Sequence, residues 1–235
     1  MSYIVTQGDI LSVQADAAVL GLEMTMHVAE DPAGLRLAEA GGEALREAIR
    51  RQRFIAVGSA AAAGSCTLPF AQILLTAIPR WLTGKANELL ALRRCYESVF
   101  ALAAEHGCRR VVTPFLSALY YHFPQPEAVH VALTAAERTE LEVVFLAETP
   151  ELLALSREPY RRAQIVSYIG YYRDHALFAL DNGLYARVDL RPEIEYADTI
   201  PYFEACYREG NDPLRPRLPE SEIARLRQIW ENGVW

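Results

Sequence analysis

The chain has 235 residues, of which 51% are hydrophobic and 23% are charged, as is typical of a water-soluble globular protein. Its net charge of −7 argues against a general nucleic-acid-binding protein, whose surface is normally basic. No run reaches the roughly 18 apolar residues of a membrane span. The start, Met-Ser-Tyr-Ile-Val, also lacks the basic and apolar segments of a secretory signal. We therefore expect a cytoplasmic protein with neither a nucleic-acid nor a membrane partner.

The motifs of several catalytic and metal-binding classes are absent from the sequence. The four cysteines are far apart and contain no CxxC pair, which favours free thiols in a reducing compartment; they are Cys66, Cys95, Cys108 and Cys206. There is no HExxH segment, so no metal site is predicted. The GxSxG, P-loop and GxGxxG patterns are missing as well, and the sequence indicates no cofactor.

In its first two thirds the chain alternates short apolar runs with segments of helical periodicity. The predicted strands are residues 3–5, 17–20, 73–78, 110–113 and 141–147, with a shorter strand or turn at 54–59. The predicted helices are residues 40–51, 87–106 and 127–137. Such alternation predicts an α/β fold with a mostly parallel sheet covered on both faces. Ligands of these sheets bind at the carboxyl ends of the strands, so the loops that follow them are the expected site.

From about Arg157 onward the composition changes. This part contains eight of the twelve tyrosines and two of the three tryptophans. Two apolar runs, 176–180 and 184–188, flank Asn182-Gly183 and predict a tight hairpin. Further along, a short helix is predicted at 202–209, an extended segment at 214–219 and a helix at 220–232. We expect a first domain of residues 1–155 and an α+β extension of residues 156–235 packed on it.

The aromatic residues of this extension have two interpretations. Tyr, Trp and Arg are favoured at the cores of interfaces, so they could dock a partner protein. They could equally bury against their own domain. The residues concerned are Tyr171, Tyr172, Arg173, Trp230 and Trp235.

Three local motifs in the first domain resemble those of the macrodomain family of ADP-ribose binders and ADP-ribosyl hydrolases. They are Gly8-Asp9-Ile10, Ile78-Pro79-Arg80-Trp81, and the ungapped run from Pro114 to Pro124. Cys95-Tyr96 and Glu127-Ala128 agree in spacing. The resemblance covers about residues 1–155 and implies a three-layer α/β/α fold with a mixed sheet. It implies that Asp9 receives the adenine amino group, and that a ligand is lined by Ile10, Ser117, Ala118, Leu119, Tyr120 and Tyr121.

The sequence departs from the family pattern at positions that carry function. The family's Asn-Ala-Ala-Asn aligns with 20–23, so that Glu23 replaces the asparagine that contacts the distal ribose. Met24 to Leu37 replaces the glycine-rich first phosphate loop, and Gly34 is its single glycine. In the second loop, Leu119 and His122 replace glycines. Backbone amides close on a diphosphate only where no side chain blocks them, so hydrolysis by the family's usual route is not expected.

The candidate polar residues each have a functional and a structural interpretation. Asp9 could accept from adenine or cap a turn. Glu23 could be a general base, with Glu30 or Asp31 as a second acid. A carboxylate at this position would also repel a bound diphosphate, and the charge of Arg36 could offset that repulsion. His122 could contact a phosphate, transfer a proton, or fill the space of a missing ligand.

The sequence thus favours a binding protein for an adenine nucleotide or ADP-ribose derivative, with a remodelled phosphate site and without catalysis. One alternative is a regulatory or toxin-neutralising interaction protein on a macrodomain scaffold that has lost its pocket. Another is an atypical ADP-ribosyl hydrolase that uses Glu23 or His122 as its catalytic residue.

Overall fold

The computed structural model describes residues 2–81, 88–120, 122–161, 163–172, 175–183, 185–189 and 219–232. The chain divides into two compact units. The first contains residues 1–81, 89–160 and 235, and the second contains residues 82–88 and 161–234. The predicted domain boundary between 155 and 156 stays a prediction.

A six-stranded sheet in the order β1-β6-β5-β2-β4-β3 forms the first unit's centre. Its strands are β1 (Ser2–Thr6), β2 (Ala17–Leu22), β3 (Ala60–Ala62), β4 (Gln72–Ala77), β5 (Arg110–Pro114) and β6 (Glu142–Leu146). Neighbouring strands are parallel, except that β3 runs antiparallel to β4. The predicted mixed α/β sheet is therefore confirmed. The carboxyl ends of the five parallel strands meet at one edge of the sheet.

Helices cover both faces of this sheet. They are α1 (Pro32–Gln52), α2 (Glu88–Glu105), α3 (Gln125–Ala136) and α4 (Pro150–Leu155). One buried cluster joins Leu37 and Leu45 of α1 to Leu20 of β2. A second cluster joins α2 and α3 to the alternate residues of the strands, including Val19. Because successive strand residues point to opposite faces, the two clusters lie on the two sides of the sheet and give three layers.

Helix α1 begins earlier than the sequence pattern predicted. Asp31 caps it by accepting a hydrogen bond from the Gly34 N–H at 2.6 Å, and Pro32 follows at the first helical position. Gly42 has φ 51° and ψ −135°, which kinks the helix in its middle. The Gly41-Gly42 pair, which lies near the start of the helix predicted over 40–51, is instead this kink.

The predicted strand or turn at 54–59 is mostly irregular. Val57 makes one isolated bridge to Ala77, and the paired strand β3 starts only at Ala60. Strand β3 consists of three alanines, which lack the β-branched or aromatic side chains by which strands are recognised.

Asp16 ties three strands together at the amino-terminal edge of the sheet. Its carboxylate accepts from the backbone N–H groups of Arg109 at 2.7 Å and Arg110 at 2.9 Å, where β5 starts. Its carbonyl accepts from Ala71 and Gln72, where β4 starts. The two backbone N–H bonds lower the pKa of Asp16 below its ordinary value.

An antiparallel three-stranded sheet and a helix make up the described part of the second unit. They are β7 (Ile165–Tyr172), β8 (His175–Leu180), β9 (Tyr185–Asp189) and α5 (Glu220–Asn232). The predicted Asn182-Gly183 hairpin between β8 and β9 is confirmed, with Gly183 at φ 81°. The sequence pattern did not predict β7. The segments predicted at 202–209 and 214–218 lie outside the described residues.

The proposed docking residues of the C-terminal part remain a prediction. The backbones of Tyr171 and Tyr172 belong to β7 and that of Trp230 to α5, whereas Arg173 and Trp235 lie outside the described residues. Cys66, Cys95 and Cys108 are free thiols, as predicted, and Cys206 is also outside. Within the described ranges no helix is long and apolar enough to cross a membrane.

Candidate functional site

The candidate site lies at the carboxyl edge of the sheet, where five loops meet. Asp9 follows β1, Glu23 follows β2, Pro79 follows β4, Ser117 follows β5, and Glu148 follows β6. Three of the loops predicted from the sequence, those after β2, β4 and β5, belong to neighbouring strands. The fold therefore brings Glu23 and the Pro114–Pro124 run to the same edge.

Buried hydrogen bonds hold the start of the loop after β5. The Leu116 N–H donates to the Tyr96 hydroxyl at 2.7 Å, and that hydroxyl donates to the Pro114 carbonyl at 3.4 Å. The Ser117 hydroxyl donates to the Pro79 carbonyl at 3.2 Å. Burial raises the pKa of Tyr96 well above its ordinary value, so the phenol keeps its proton and continues to donate.

The aromatic and sulfur groups of the family motifs reinforce this frame. Trp81 meets Phe123 edge-on, with ring centroids 5.0 Å apart, and so joins the loop after β4 to the loop after β5. Cys95 donates to the Ala77 carbonyl at 3.3 Å, and burial raises the pKa of its thiol to about 11. The matched positions Cys95 and Tyr96 thus anchor the ends of β4 and β5.

The residues predicted to line a ligand differ in their exposure. Ile10 is 1% exposed, and Ser117 and Ala118 are each 3% exposed. Leu119 and Tyr120 are half-buried against the core. Tyr121 lies outside the described residues. The role of this set in ligand binding stays a prediction.

His122 keeps a glycine-like backbone with an imidazole attached. Its φ is 55°, in the left-handed region that glycine adopts readily. The side chain is exposed to solvent. The interpretation of His122 as a filler of empty space is therefore wrong, because an exposed ring fills no cavity.

A tight turn of residues 23–27 replaces the start of the family's glycine-rich loop. Leu22 and Val28 form an antiparallel bridge across it. The Glu23 N–H donates to the His27 carbonyl at 2.7 Å, and the Met26 N–H donates to the Glu23 carbonyl at 2.8 Å. Met26 has φ 66°, which lets the chain reverse without glycine.

This turn carries a network of polar side chains. The Tyr120 hydroxyl donates to Oε1 of Glu23, and the Thr25 hydroxyl donates to Oε2 of Glu23 at 3.2 Å. Nδ1 of His27 lies 3.0 Å from the Thr25 hydroxyl oxygen. Both carboxylate oxygens of Glu23 are therefore held. Sequence reasoning identified Glu23 but missed Thr25 and His27, although a histidine four residues from a candidate base was an available signal.

Asp9 combines a capping role with an ion pair. Its Oδ1 accepts from the Leu11 N–H at 3.1 Å, and its Oδ2 lies 3.3 Å from Nε of Arg36. The capping interpretation of Asp9 is confirmed by this geometry. Both side chains are partly exposed, so the pair is screened and an adenine could still reach the aspartate. Adenine recognition by Asp9 stays a prediction.

Two acids meet the first turn of α1. Oε1 of Glu148 accepts from the Ala33 N–H at 2.6 Å, next to the Asp31 bond to Gly34. Burial raises the pKa of Asp31 to about 6. Burial, followed by the charge of Asp31, raises the pKa of Glu148 to about 8. Glu30, the other candidate acid, is exposed. No sequence pattern indicated Glu148, because its burial depends on a contact with Ala33, which is 115 residues away along the chain.

Among the residues that the structure describes, no group of three or more His, Cys, Asp or Glu side chains could hold a metal ion.

Similarity to known proteins identifies the family. A sequence model of the Macro domain matches residues 27–132. O-acetyl-ADP-ribose deacetylase 1 of Pantoea vagans is 35% identical over 158 residues, which cover 60% of this chain and 88% of that protein. The chain belongs to the macro domain family.

Other relatives agree with this assignment. O-acetyl-ADP-ribose deacetylase 2 of Pantoea vagans is 34% identical to this macro domain over 140 residues, covering 55% of this chain and 77% of the relative. The solved macrodomain of Oceanobacillus iheyensis with ADP superposes with a TM-score of 0.60 and 18% identity, over 65% of this chain and 86% of that one. The Trypanosoma brucei macrodomain in complex with ADP-ribose superposes with a TM-score of 0.58 and 18% identity. The match covers 66% of this chain and 67% of that one. The two structures show the macro domain fold.

Proposed function

We propose that this macro domain hydrolyses an ester linkage on an ADP-ribose derivative. The observation that carries the proposal is the Glu23 carboxylate, held through both of its oxygens by Tyr120 and Thr25 at the carboxyl edge of the sheet. In support, two relatives that share 34% and 35% identity with the chain are named O-acetyl-ADP-ribose deacetylases. Related structures contain ADP or ADP-ribose.

The chemistry needs one base and one water molecule. Glu23 takes a proton from water, and the resulting hydroxide attacks the acyl carbonyl carbon of the ester. The bond between the acyl carbon and the ribose oxygen then breaks. The ribose oxygen leaves and receives the proton from Glu23. The products are a free hydroxyl on the ADP-ribose and a carboxylic acid. The hydrogen bonds from Tyr120 and Thr25 orient the carboxylate for this transfer.

The remodelled phosphate loops are compatible with this reaction. Sequence reasoning alone favoured binding without catalysis, because Glu23 replaces the usual asparagine and Leu119 and His122 replace glycines. The identity to named deacetylases favours the hydrolase alternative instead. A carboxylate can activate water by itself, so the loss of the asparagine does not remove the capacity for general-base catalysis.

Acetate release from O-acetyl-ADP-ribose tests the proposal. The wild-type protein should turn the ester over, and Glu23→Gln should lower kcat by about 10²-fold or more, because an amide cannot accept the proton. Glu47→Gln, an exposed change of the same kind in the second half of α1, should leave kcat unchanged.

The possible outcomes distinguish three interpretations. Tight binding of ADP-ribose without turnover of the ester would mean that the protein binds ADP-ribose without catalysis. Turnover that survives Glu23→Gln would remove Glu23 as the base. Absence of both binding and turnover would sink the ADP-ribose proposal altogether.

A further inference from the structure

The turn of residues 23–27 begins and ends with an ionisable residue, Glu23 and His27. The Glu23 N–H donates to the His27 carbonyl at 2.7 Å, and the flanking residues Leu22 and Val28 form an antiparallel bridge. These backbone contacts hold Glu23 and His27 across from each other, although the imidazole itself is exposed to solvent.

Thr25, at the middle of the turn, links the two ionisable side chains. Its hydroxyl donates to Oε2 of Glu23 at 3.2 Å. Its oxygen lies 3.0 Å from Nδ1 of His27. A continuous chain of hydrogen bonds therefore runs from the imidazole through the hydroxyl to the carboxylate.

The hydroxyl of Thr25 has a single proton, and this decides the direction of the chain. A carboxylate accepts hydrogen bonds and donates none, so the proton of Thr25 points to Glu23. The Thr25 oxygen then has only lone pairs to offer to Nδ1 of His27. It follows that Nδ1 carries a proton and donates, and that Nε2 is the unprotonated nitrogen of the neutral ring.

The donor on His27 matters because a hydroxyl rotates freely about its carbon–oxygen bond. An exposed threonine hydroxyl can turn its proton to water instead of to Glu23. With the Nδ1–H of His27 on one side of the Thr25 oxygen, the proton cannot point in that direction. The imidazole thus favours the orientation in which Thr25 donates to Glu23.

We propose that His27 is a positioning residue: its Nδ1–H orients the Thr25 hydroxyl, which holds Oε2 of Glu23 in place for the activation of water. This rests on the proposed function, in which Glu23 is the general base. His27 acts through Thr25 and not on the ester itself. Tyr120 holds the other oxygen of Glu23 from the loop after β5, so the carboxylate is oriented from two elements.

The tautomer of His27 tests the direction of the chain in the wild-type protein. Nitrogen-15 NMR distinguishes a protonated ring nitrogen from an unprotonated one, provided that the ring is neutral. We expect Nδ1 of His27 to carry the proton. Thr25→Val removes the acceptor, so His27 should then show the same distribution of tautomers as His106, an exposed histidine after α2. A neutral His27 with its proton on Nε2 in the wild-type protein would overturn the proposal.

Two variants of His27 test its role in the reaction. His27→Leu keeps a branched side chain but has no donor, so kcat for ester hydrolysis should fall about three- to tenfold, the effect of losing one hydrogen bond. KM should stay within about twofold, because the loss concerns the reacting carboxylate and not the binding of the ester. His27→Asn places an amide nitrogen where Nδ1 was, and its N–H should restore most of the wild-type kcat. His106→Leu, between the end of α2 and the start of β5, is the matched control and should leave kcat unchanged.

A double-mutant cycle separates positioning through Thr25 from a general structural effect. In a Thr25→Val background, His27→Leu should lower kcat no further, because the link to Glu23 is already absent. Equal effects in the two backgrounds, or a loss that His27→Asn does not restore, would overturn the role of His27 and leave Glu23 as the base. If the wild-type protein does not turn the ester over, the proposed function fails and the role of His27 in catalysis fails with it. The tautomer of His27 would still show which way the chain of hydrogen bonds runs.

Discussion

Two regions of the carboxyl edge are held in different ways. The loop floor, residues 115–118 after β5, is buried and is fixed by hydrogen bonds to Tyr96 and Pro79. The polar rim consists of Glu23, Thr25, His27 and Tyr120, and is held by hydrogen bonds between partly exposed or exposed side chains. The buried frame of a family can therefore be kept while the polar side chains above it change.

The loop floor should carry a large share of the stability. Phe115 is buried and stacks on Phe145, with ring centroids 5.0 Å apart. Phe115→Ala removes this packing and leaves a cavity, so we expect a loss of about 3–5 kcal/mol in the free energy of unfolding, measured with denaturant. Leu119→Ala, at a half-buried position of the same loop, should cost clearly less. Equal losses for the two variants would contradict a special contribution of the loop floor to the free energy of unfolding.

A single hydroxyl should matter to the floor. Tyr96→Phe leaves the buried Leu116 N–H without its acceptor while keeping the ring in place. We expect a loss of about 1–3 kcal/mol in the free energy of unfolding, since a buried donor becomes unsatisfied. A loss below about 0.5 kcal/mol in the same denaturant experiment would mean that water or another group replaces the hydroxyl.

The same substitution in the rim should affect activity more than stability. Tyr120→Phe removes the donor to Glu23, and the freed carboxylate should lose orientation. We expect kcat for ester hydrolysis to fall about tenfold, with the free energy of unfolding changed by less than about 1 kcal/mol. An unchanged kcat would remove Tyr120 from the positioning role.

The smallest expected effect concerns backbone strain at His122. Its φ of 55° is unfavourable for a side chain, and the exposed imidazole offers no packing in return. His122→Gly should therefore raise the free energy of unfolding by up to about 1 kcal/mol, seen as a higher Tm. His122→Ala keeps the Cβ atom and should show no such gain. A gain in both variants would place the penalty in the imidazole and not in the backbone.

Much of the fold could be predicted from local patterns. Apolar runs such as 73–78 and 110–113 are long enough to indicate strands, and their alternation with helices predicts the parallel order. The start of α1 was missed although Asp31-Pro32 carries an N-cap signal, because the Gly41-Gly42 pair gave a competing one. Strand β3, made of alanine, has no pattern to detect.

The candidate site was predictable only where a motif or a strand end marked it. Asp9, Glu23 and the loop after β5 follow strands, and their meeting at one edge is a consequence of parallel pairing. The Glu148 contact with Ala33 depends on how β6 ends relative to α1, which no local pattern encodes. The Tyr120 bond to Glu23 spans 97 residues and has the same character.

Asp16 has a consequence for how freely the other edge of the sheet can change. Since one carboxylate and one carbonyl join the starts of β4 and β5 to β2, these three strands stay aligned whatever their far ends carry. The loops at the carboxyl ends of these strands can then differ in sequence without shifting the strands themselves. In hydrogen exchange, the amides of Arg109, just before β5, and of Arg110, its first residue, should be protected by these bonds. That protection should weaken only at a pH low enough to protonate Asp16. Because its pKa is lowered, Asp16 stays charged at pH values where an ordinary aspartate is already protonated.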